Sequence, residues 1–150
     1  MKLSEILFES DLGGSVVLYH GTLRSNLESI MQDGLRKSSG WGGAGTTGVY
    51  LSRSPKGALY WAKIAYMNAQ EDSMEPERFD RKYGKQEKDL LVVLRVEIPV
   101  EQTKNLKADM EQAEEYGFEG APEDWQEGLE VIGDVMYNGD IPREWIRIEQ

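Results

Sequence analysis

The sequence predicts an α+β fold in one domain that spans residues 1–150. Three observations support this prediction. Strand-like and helix-like apolar patterns alternate in the first half of the chain, strand patterns dominate its end, and the spacing between strands lacks the regular βαβ repeat of a doubly wound fold. The chain length suits a single domain that can bury a sizeable core.

The first elements are predicted to be a helix, a strand and a second helix. Leu3, Ile6 and Leu7 have helical spacing, which predicts a short N-terminal helix over residues 1–12. The β-branched run 16–19 predicts a buried strand that ends at residues 20–22, His-Gly-Thr.

The second helix has a start signal and a stop signal. Ser25 or Asn26 is the predicted cap, and Gly34 is the predicted stop. Between them the apolar side chains repeat at helical spacing: Leu27, Ile30, Met31 and Leu35.

A glycine-rich loop is predicted to separate this helix from the next strand. Residues 38–48 hold five glycines in eleven positions, which predicts a flexible loop. A strand follows at 49–51, and Pro55 suits the first turn of a helix that runs to about Gln70. That helix is predicted to be well buried, with these residues on its apolar side: Ala58, Tyr60, Trp61, Ala62, Ile64, Ala65 and Met67.

The second half alternates exposed and strand-like segments. Residues 71–88 are charged and aperiodic, which predicts an exposed insertion. Leu90 to Ile98 is predicted to be a strand with Leu94, Val96 and Ile98 on one side and Arg95 and Glu97 on the other. The acidic stretch 101–130 is predicted to hold a helix based on the spacing of Leu106, Met110 and Ala113, and a second short helix over 123–129. Two short strands, 135–137 and 145–148, are predicted to be joined through residues 138–142.

Composition excludes several kinds of site. The chain has no cysteine and one histidine, so disulfides, thiolate catalysis and His-rich or Cys-based metal sites are excluded. A formal net charge of −10 repels polyanions, which makes a protein or small-molecule partner easier to bind than nucleic acid. Glu5 and Glu9 interrupt any signal-peptide pattern, and no apolar run is long enough to span a membrane, so we expect a cytoplasmic protein with no membrane partner.

The single histidine marks the first candidate site. His20 follows an apolar strand, and Gly21 beside it lets a flat ring approach the backbone closely. One backbone N–H and one C=O can then pair with a carboxamide, the group that nicotinamide carries.

Two segments resemble the His-Tyr-Glu type of ADP-ribosyltransferase, the group that includes the poly(ADP-ribose) polymerases. Residues 18–22, Leu-Tyr-His-Gly-Thr, followed by 26–30 and Gly34-Leu35, are similar to the first motif of that family. Residues 48–52, Gly-Val-Tyr-Leu-Ser, followed by 56–60, Lys-Gly-Ala-Leu-Tyr, are similar to its strand–helix motif with two spaced tyrosines. The resemblance implies a split-sheet ADP-ribosyltransferase core, and the compact size is similar to that of bacterial or phage effectors and toxins that act in the host cytoplasm.

The resemblance also implies roles for individual residues. His20 would hydrogen-bond the nicotinamide ribose, Gly21 would hold the carboxamide, Tyr50 would line the pocket and Tyr60 would stack on the nicotinamide ring. A cationic ring gains from both dispersion and cation–π attraction when it lies on an aromatic side chain. Thr22 and Ser52 are further hydroxyl candidates.

The third motif of the family supplies a glutamate on a late strand, and here two acids compete for that position. A carboxylate beside the ribose stabilises the oxocarbenium-like state formed when the nicotinamide bond breaks. Asp134 lies nearest the family position by its offset from Tyr137, whereas Glu130 has the right side chain four residues earlier. If Glu130 serves, the strand must begin earlier than residue 135.

The target and the remaining contacts follow from charge. Arg36 and Arg53 each follow a motif and are candidates for the pyrophosphate of NAD. The acidic segments 71–88 and 101–130 favour a protein target with a basic surface. NAD is expected as substrate, with no metal.

Three alternatives to protein ADP-ribosylation stay open. RNA 2′-phosphotransferase chemistry and transfer to a nucleic-acid base both need local cationic surface, which the acidic balance disfavours. The third alternative is a catalytically degenerate NAD-fold module that binds without turnover, or that serves as a virion-associated part.

Overall fold

The protein is described here from a computed structural model, which covers residues 14–39, 47–71, 90–108 and 124–149. Several predictions therefore lie outside the described residues: the N-terminal helix of 1–12, nearly all of the insertion 71–88, most of the glycine-rich loop and the helical spacing at Met110 and Ala113.

The described chain forms one antiparallel sheet with helices packed against it, which confirms the α+β class. The strands are β1 (Ser15–Leu23), β2 (Ser38–Ser39), β3 (Thr47–Ser52), β4 (Leu91–Pro99), β5 (Leu106–Ala108), β6 (Asp134–Tyr137) and β7 (Ile146–Ile148). Their order is β5-β6-β3-β1-β4-β7, and β2 pairs with β3. The two strands of the tail are not neighbours, because β6 pairs with β3 and β5, whereas β7 pairs with β4.

Within the described ranges, three α-helices lie on the sheet: α1 (Leu27–Asp33), α2 (Pro55–Glu71) and α3 (Trp125–Val131). Gly34 ends α1 with a φ of 82°, a conformation that favours glycine, as the stop signal predicted. The Asp124 carboxylate caps α3 by accepting from the Gln126 N–H at 2.9 Å. None of the helices in the described ranges is long and apolar enough to cross a membrane.

The register of β1 divides its side chains between two faces of the sheet. Successive residues of a strand point to opposite faces, and directly paired residues share a face. Val16 and Leu18 are fully buried in the main core on one face, together with Leu94 and Val96 of β4. We call this the core face, and it is covered by Ile30 of α1 and Leu129 of α3.

Helix α2 covers the other face, which we call the α2 face. Ala58 and Ala62 are the buried residues among those of this helix whose burial is described, 55–67. A Cβ placed on Gly21 would lie 1.8 Å from the Ala58 carbonyl oxygen, so helix and strand are in direct backbone contact. Leu23 and Leu91 complete a small second cluster with Ala62 on this face.

Helix α2 has the predicted bounds within one residue, but its predicted burial is wrong. Tyr60 and Met67 are each 55% exposed, and Leu59 is 36% exposed. The reason is the close approach at Gly21: a helix that touches a strand through its backbone does so with small residues, which leaves the large apolar side chains on the outer side.

Four further sequence predictions are corrected. β1 continues to Leu23, one residue past the predicted end at 20–22, so His20, Gly21 and Thr22 lie within the strand. The predicted loop 38–48 contains β2 and the start of β3, because Ser38 pairs with Gly48.

The other two corrections concern Leu106 and Asn26. Leu106 begins strand β5, because it pairs with Tyr137 of β6 instead of continuing a helix. Asn26 occupies the cap position of α1 but makes no capping bond with its side chain.

Candidate functional site

An open cleft of about 470 Å³ lies between the core face of β1 and helix α1. Its size falls in the usual range for small-molecule sites. The lining residues are His20, Thr22, Asn26, Ser29, Ile30, Asp33, Gly34, Leu35 and Arg36. Three predicted site residues are therefore brought to one cleft: His20, Thr22 and Arg36.

His20 is held in one tautomer by a backbone partner. Its Nδ1 lies 2.8 Å from the carbonyl oxygen of Tyr50, and a carbonyl can only accept, so Nδ1 carries the proton and donates it. Burial lowers the pKa of His20, and this effect exceeds the opposing one of the Tyr50 hydrogen bond. The ring is therefore neutral near pH 7, and its unprotonated Nε2 can accept a hydrogen bond.

Thr22 and Asn26 connect the strand to the start of α1. The Asn26 side-chain amide donates to the Thr22 hydroxyl oxygen at 3.2 Å, and this bond takes the place of the predicted helix cap. Because the Thr22 oxygen accepts there, its own proton can be donated to a ligand. Thr22 is one of two buried polar side chains in the described residues, and Ser52 is the other.

Strands β1 and β3 stop pairing beside His20, and we call the gap between them the parting. They share a single register pair, Tyr19 with Ser52, although both strands extend several residues beyond it. The His20 ring makes its hydrogen bond to Tyr50 across this parting. The two strands that carry the two family-like motifs are thus adjacent in the sheet, but most of their motif residues do not pair with each other.

Gly21 has a packing reason to be glycine. Any side chain there would collide with the Ala58 carbonyl of α2, as described above. The predicted contact between its backbone and a carboxamide stays a prediction, because the glycine is explained without a ligand.

Asp134 is placed on the α2 face, opposite to the His20 side chain. It pairs directly with Ser52, which pairs with Tyr19, so these three side chains share the face that His20 does not. The Ser52 hydroxyl donates to the Asp134 carboxylate at 2.5 Å. The Trp61 indole of α2 donates to the same carboxylate, and the Arg53 charge lies near it.

The pKa of Asp134 is raised from its ordinary value. Burial is the largest cause, and the hydrogen bonds from Ser52 and Trp61 and the charge of Arg53 oppose it. The two donors hold this carboxylate in position. Its partial desolvation moves its ionisation to higher pH.

Glu130 does not lie on the late strand, as its catalytic role would require. It lies on helix α3 with an exposed side chain, and the strand begins only at Asp134. The Arg53 guanidinium reaches this helix end, where Nη1 donates to the Glu130 carbonyl at 3.4 Å. Arg53 therefore lies beside Asp134 and α3, and it is not among the residues that line the cleft.

The two tyrosines flank the α2 face. Tyr50 is half-buried on β3 and shares a face with Ser52, two residues later. Tyr60 is exposed on α2, and its ring packs edge to face against Trp61 with centroids 5.3 Å apart. The predicted residues thus form two groups, with His20, Thr22 and Arg36 at the cleft and Tyr50, Ser52 and Asp134 on the α2 face, whereas Tyr60 lies on the outer side of helix α2.

Sequence reasoning missed two residues of these groups. Trp61 was assigned only to the apolar side of α2, although buried indoles usually find an acceptor, so an acid partner was a fair expectation. Asp33 lies about two helical turns after Asn26, and that spacing was a signal that both residues face the same side of α1.

No group of three or more His, Cys, Asp or Glu side chains that could hold a metal ion occurs in the described ranges.

Comparisons with known proteins add no family to this picture. No protein-family model matches the chain, and a search of curated proteins found no significantly similar sequence.

Proposed function

We propose that this chain is an NAD-dependent ADP-ribosyltransferase with an ADP-ribosyltransferase-like split sheet, and that its target is a protein. The observation that carries the proposal is the hydrogen bond from His20 Nδ1 to the Tyr50 carbonyl, at the place where β1 and β3 separate. That bond joins the two segments on which the family resemblance rests.

In this proposal NAD binds where β1 and β3 separate, next to the hydrogen bond between His20 and the Tyr50 carbonyl. The ADP-ribose part occupies the cleft beside His20 and Arg36. The resemblance gives contacts with the nicotinamide ring to Tyr50 and Tyr60, and it gives the charge beside the ribose to Asp134.

The proposed reaction breaks one bond and forms another. The C–N bond between nicotinamide and ribose breaks, and nicotinamide leaves as a neutral molecule with the bonding electrons. A nucleophilic side chain of the target then bonds to C1′ and loses a proton to solvent. Asp134, when ionised, stabilises the positive charge that develops on the ribose.

A second candidate function is NAD binding without turnover, and the surroundings of Asp134 favour it. Two hydrogen-bond donors already occupy this carboxylate, and burial raises its pKa, which disfavours the ionised form that the chemistry needs. A carboxylate engaged in this way can serve packing of α2 instead of catalysis.

NAD cleavage by the purified protein in the presence of cell lysate separates these functions. We expect nicotinamide release and a labelled protein band from adenylate-labelled NAD, both reduced at least 100-fold by His20→Ala, because the loss of a positioned contact to the reacting ribose weakens transition-state binding. Asp134→Asn should reduce turnover to a similar extent, since it removes the charge and keeps the shape.

Two variants on α3 provide the control for the acid. Glu130→Gln and Glu127→Gln both neutralise an exposed glutamate of that helix, and we expect neither to change NAD cleavage. Loss of cleavage with Glu130→Gln alone would transfer the acid role to Glu130. NAD binding without nicotinamide release in any sample would leave the binding module as the function.

A further inference from the structure

Helix α2 covers only part of the α2 face. It begins over Ser52, since a Cβ placed on Gly57 would lie 3.3 Å from the Ser52 Cβ, and it crosses β1 at Gly21 toward the end of that strand. The part of the face toward the start of β1 is therefore left open by the described helices. Val17 and Tyr19 are only half-buried there.

Two arginines lie side by side in this open part of the face. Arg95 of β4 pairs directly with Arg147 of β7 and, on its other side, with Tyr19 of β1. Directly paired residues share a face, so these three side chains form one row on the face opposite to the cleft. Like charges directly opposite each other destabilise a sheet, because the Cβ atoms of such partners lie only about 4.5–5.5 Å apart. Folding therefore gives no reason for an arginine at both positions.

The Arg95 side chain is held at its inner end and accessible at its outer end. Its Nε is buried and has no hydrogen-bond partner among the described residues, and Glu97 Oε1 lies 3.3 Å from it. The side chain as a whole is 39% exposed, and neither of its Nη atoms donates to a described residue. The Nη edge is therefore free to donate to the oxygens of an anion, which is the geometry that a guanidinium group favours.

The nearby carboxylates do not neutralise both cations. Glu97 is the partner of Arg95, whereas Arg147 is exposed and forms no ion pair within the part of the chain that the structure describes. Glu149 follows Arg147 on the same face, but it lies level with Val93, not with the two arginines. The formal net charge of −10 repels anions in general, so an anion would bind only where several donors converge, as they do here.

We propose that Arg95 and Arg147 bind a phosphate monoester at a site separate from the cleft, and that Tyr19 contacts an aromatic group of the same ligand. Two adjacent guanidinium groups can each donate to the phosphate oxygens, and a dianion between them removes their mutual repulsion. The Tyr19 ring beside Arg95 provides a surface for stacking. Both a nucleotide and phosphotyrosine have this chemistry. The proposal does not depend on NAD cleavage.

Calorimetry in phosphate-free buffer of low ionic strength tests this site with three probes: inorganic phosphate, phosphotyrosine and AMP. We expect Arg147→Gln to weaken the binding of every probe at least tenfold, because it removes one of two charged donors. Tyr19→Leu should weaken only the two aromatic probes, by about three- to tenfold. Arg143→Gln is the matched control, because Arg143 is an exposed arginine of the turn before β7 and pairs with Glu144. It should leave the binding of all three probes unchanged.

Thermal unfolding without ligand provides a second measurement. Arg147→Gln should raise the Tm at low ionic strength by about 1–3 °C, since it removes the repulsion from Arg95, whereas Arg143→Gln should not. Tighter binding of AMP than of phosphotyrosine would make a nucleotide the ligand, and the reverse order would make it a phosphorylated tyrosine. The site is rejected if wild type binds none of the probes, if Arg147→Gln leaves binding unchanged, or if both arginine variants weaken binding equally.

Discussion

The two faces of strand β1 serve different purposes, although they alternate residue by residue. On the core face Val16 and Leu18 are fully buried, and the next two positions, His20 and Thr22, are polar and line the cleft. On the α2 face Gly21 brings the strand into backbone contact with a helix. Packing accounts for the glycine, but it gives no reason for a histidine and a threonine at the end of an apolar row.

This contrast separates structural from functional positions within three consecutive residues. A change at Gly21 should act on folding, whereas changes at His20 and Thr22 should act mainly on the cleft. The following variants test that division, and they are ordered from the largest expected effect on stability to the smallest.

Gly21→Ala should cause the largest loss of stability. The new Cβ would lie 1.8 Å from the Ala58 carbonyl oxygen, so helix α2 must move away from the sheet. We expect the free energy of unfolding in urea to fall by about 3 kcal/mol or more. Gly57→Ala is the control, because its nearest contact is 3.3 Å and alanine favours the helix, so the change should stay within about 1 kcal/mol. Equal effects at both glycines would contradict the close contact.

Asp134→Asn should change stability in a pH-dependent way. Because the folded-state pKa is raised, folding favours the protonated acid. That stabilisation is complete below the unfolded pKa of about 4 and is lost as pH rises through the folded pKa. The variant should therefore gain stability relative to wild type between pH 4 and pH 7, as measured by urea unfolding at both values. A difference that does not vary with pH would show that Asp134 is not desolvated.

Thr22→Val should have the smallest effect on stability. It removes the acceptor of the Asn26 amide, a partly buried bond worth about 0.5–1 kcal/mol, and keeps the side-chain volume. A double-mutant cycle with Asn26→Ala isolates this bond, and we expect the two changes to couple by a similar amount. Strict additivity would show that the bond does not join the strand to α1.

Local patterns in the sequence predicted most of the elements but not their partners. The apolar alternation of β4 put Leu94, Val96 and Ile98 on the buried side, and the structure confirms it. Gly34 and Pro55 placed the end of α1 and the start of α2. These signals depend on neighbours within one or two turns of chain, which is why they were readable without the fold.

The candidate site was predictable only in part, for the same reason. His20, Thr22 and Arg36 follow one another closely in sequence, and the structure brings them to one cleft. The choice between Asp134 and Glu130 required knowing which residue begins β6, and that depends on pairing with β3 about 80 residues earlier.

By itself, the sequence determined the α+β class, the positions of most of the described regular elements and the segments that resemble a transferase. Only the tertiary structure decided that His20 and Asp134 lie on opposite faces of the sheet, that Gly21 is required by Ala58, and that Asp33 faces the cleft. Periodicity is a local property of the chain, whereas the face on which a side chain lies relative to a distant one is set by strand register, and register is fixed only when the sheet assembles.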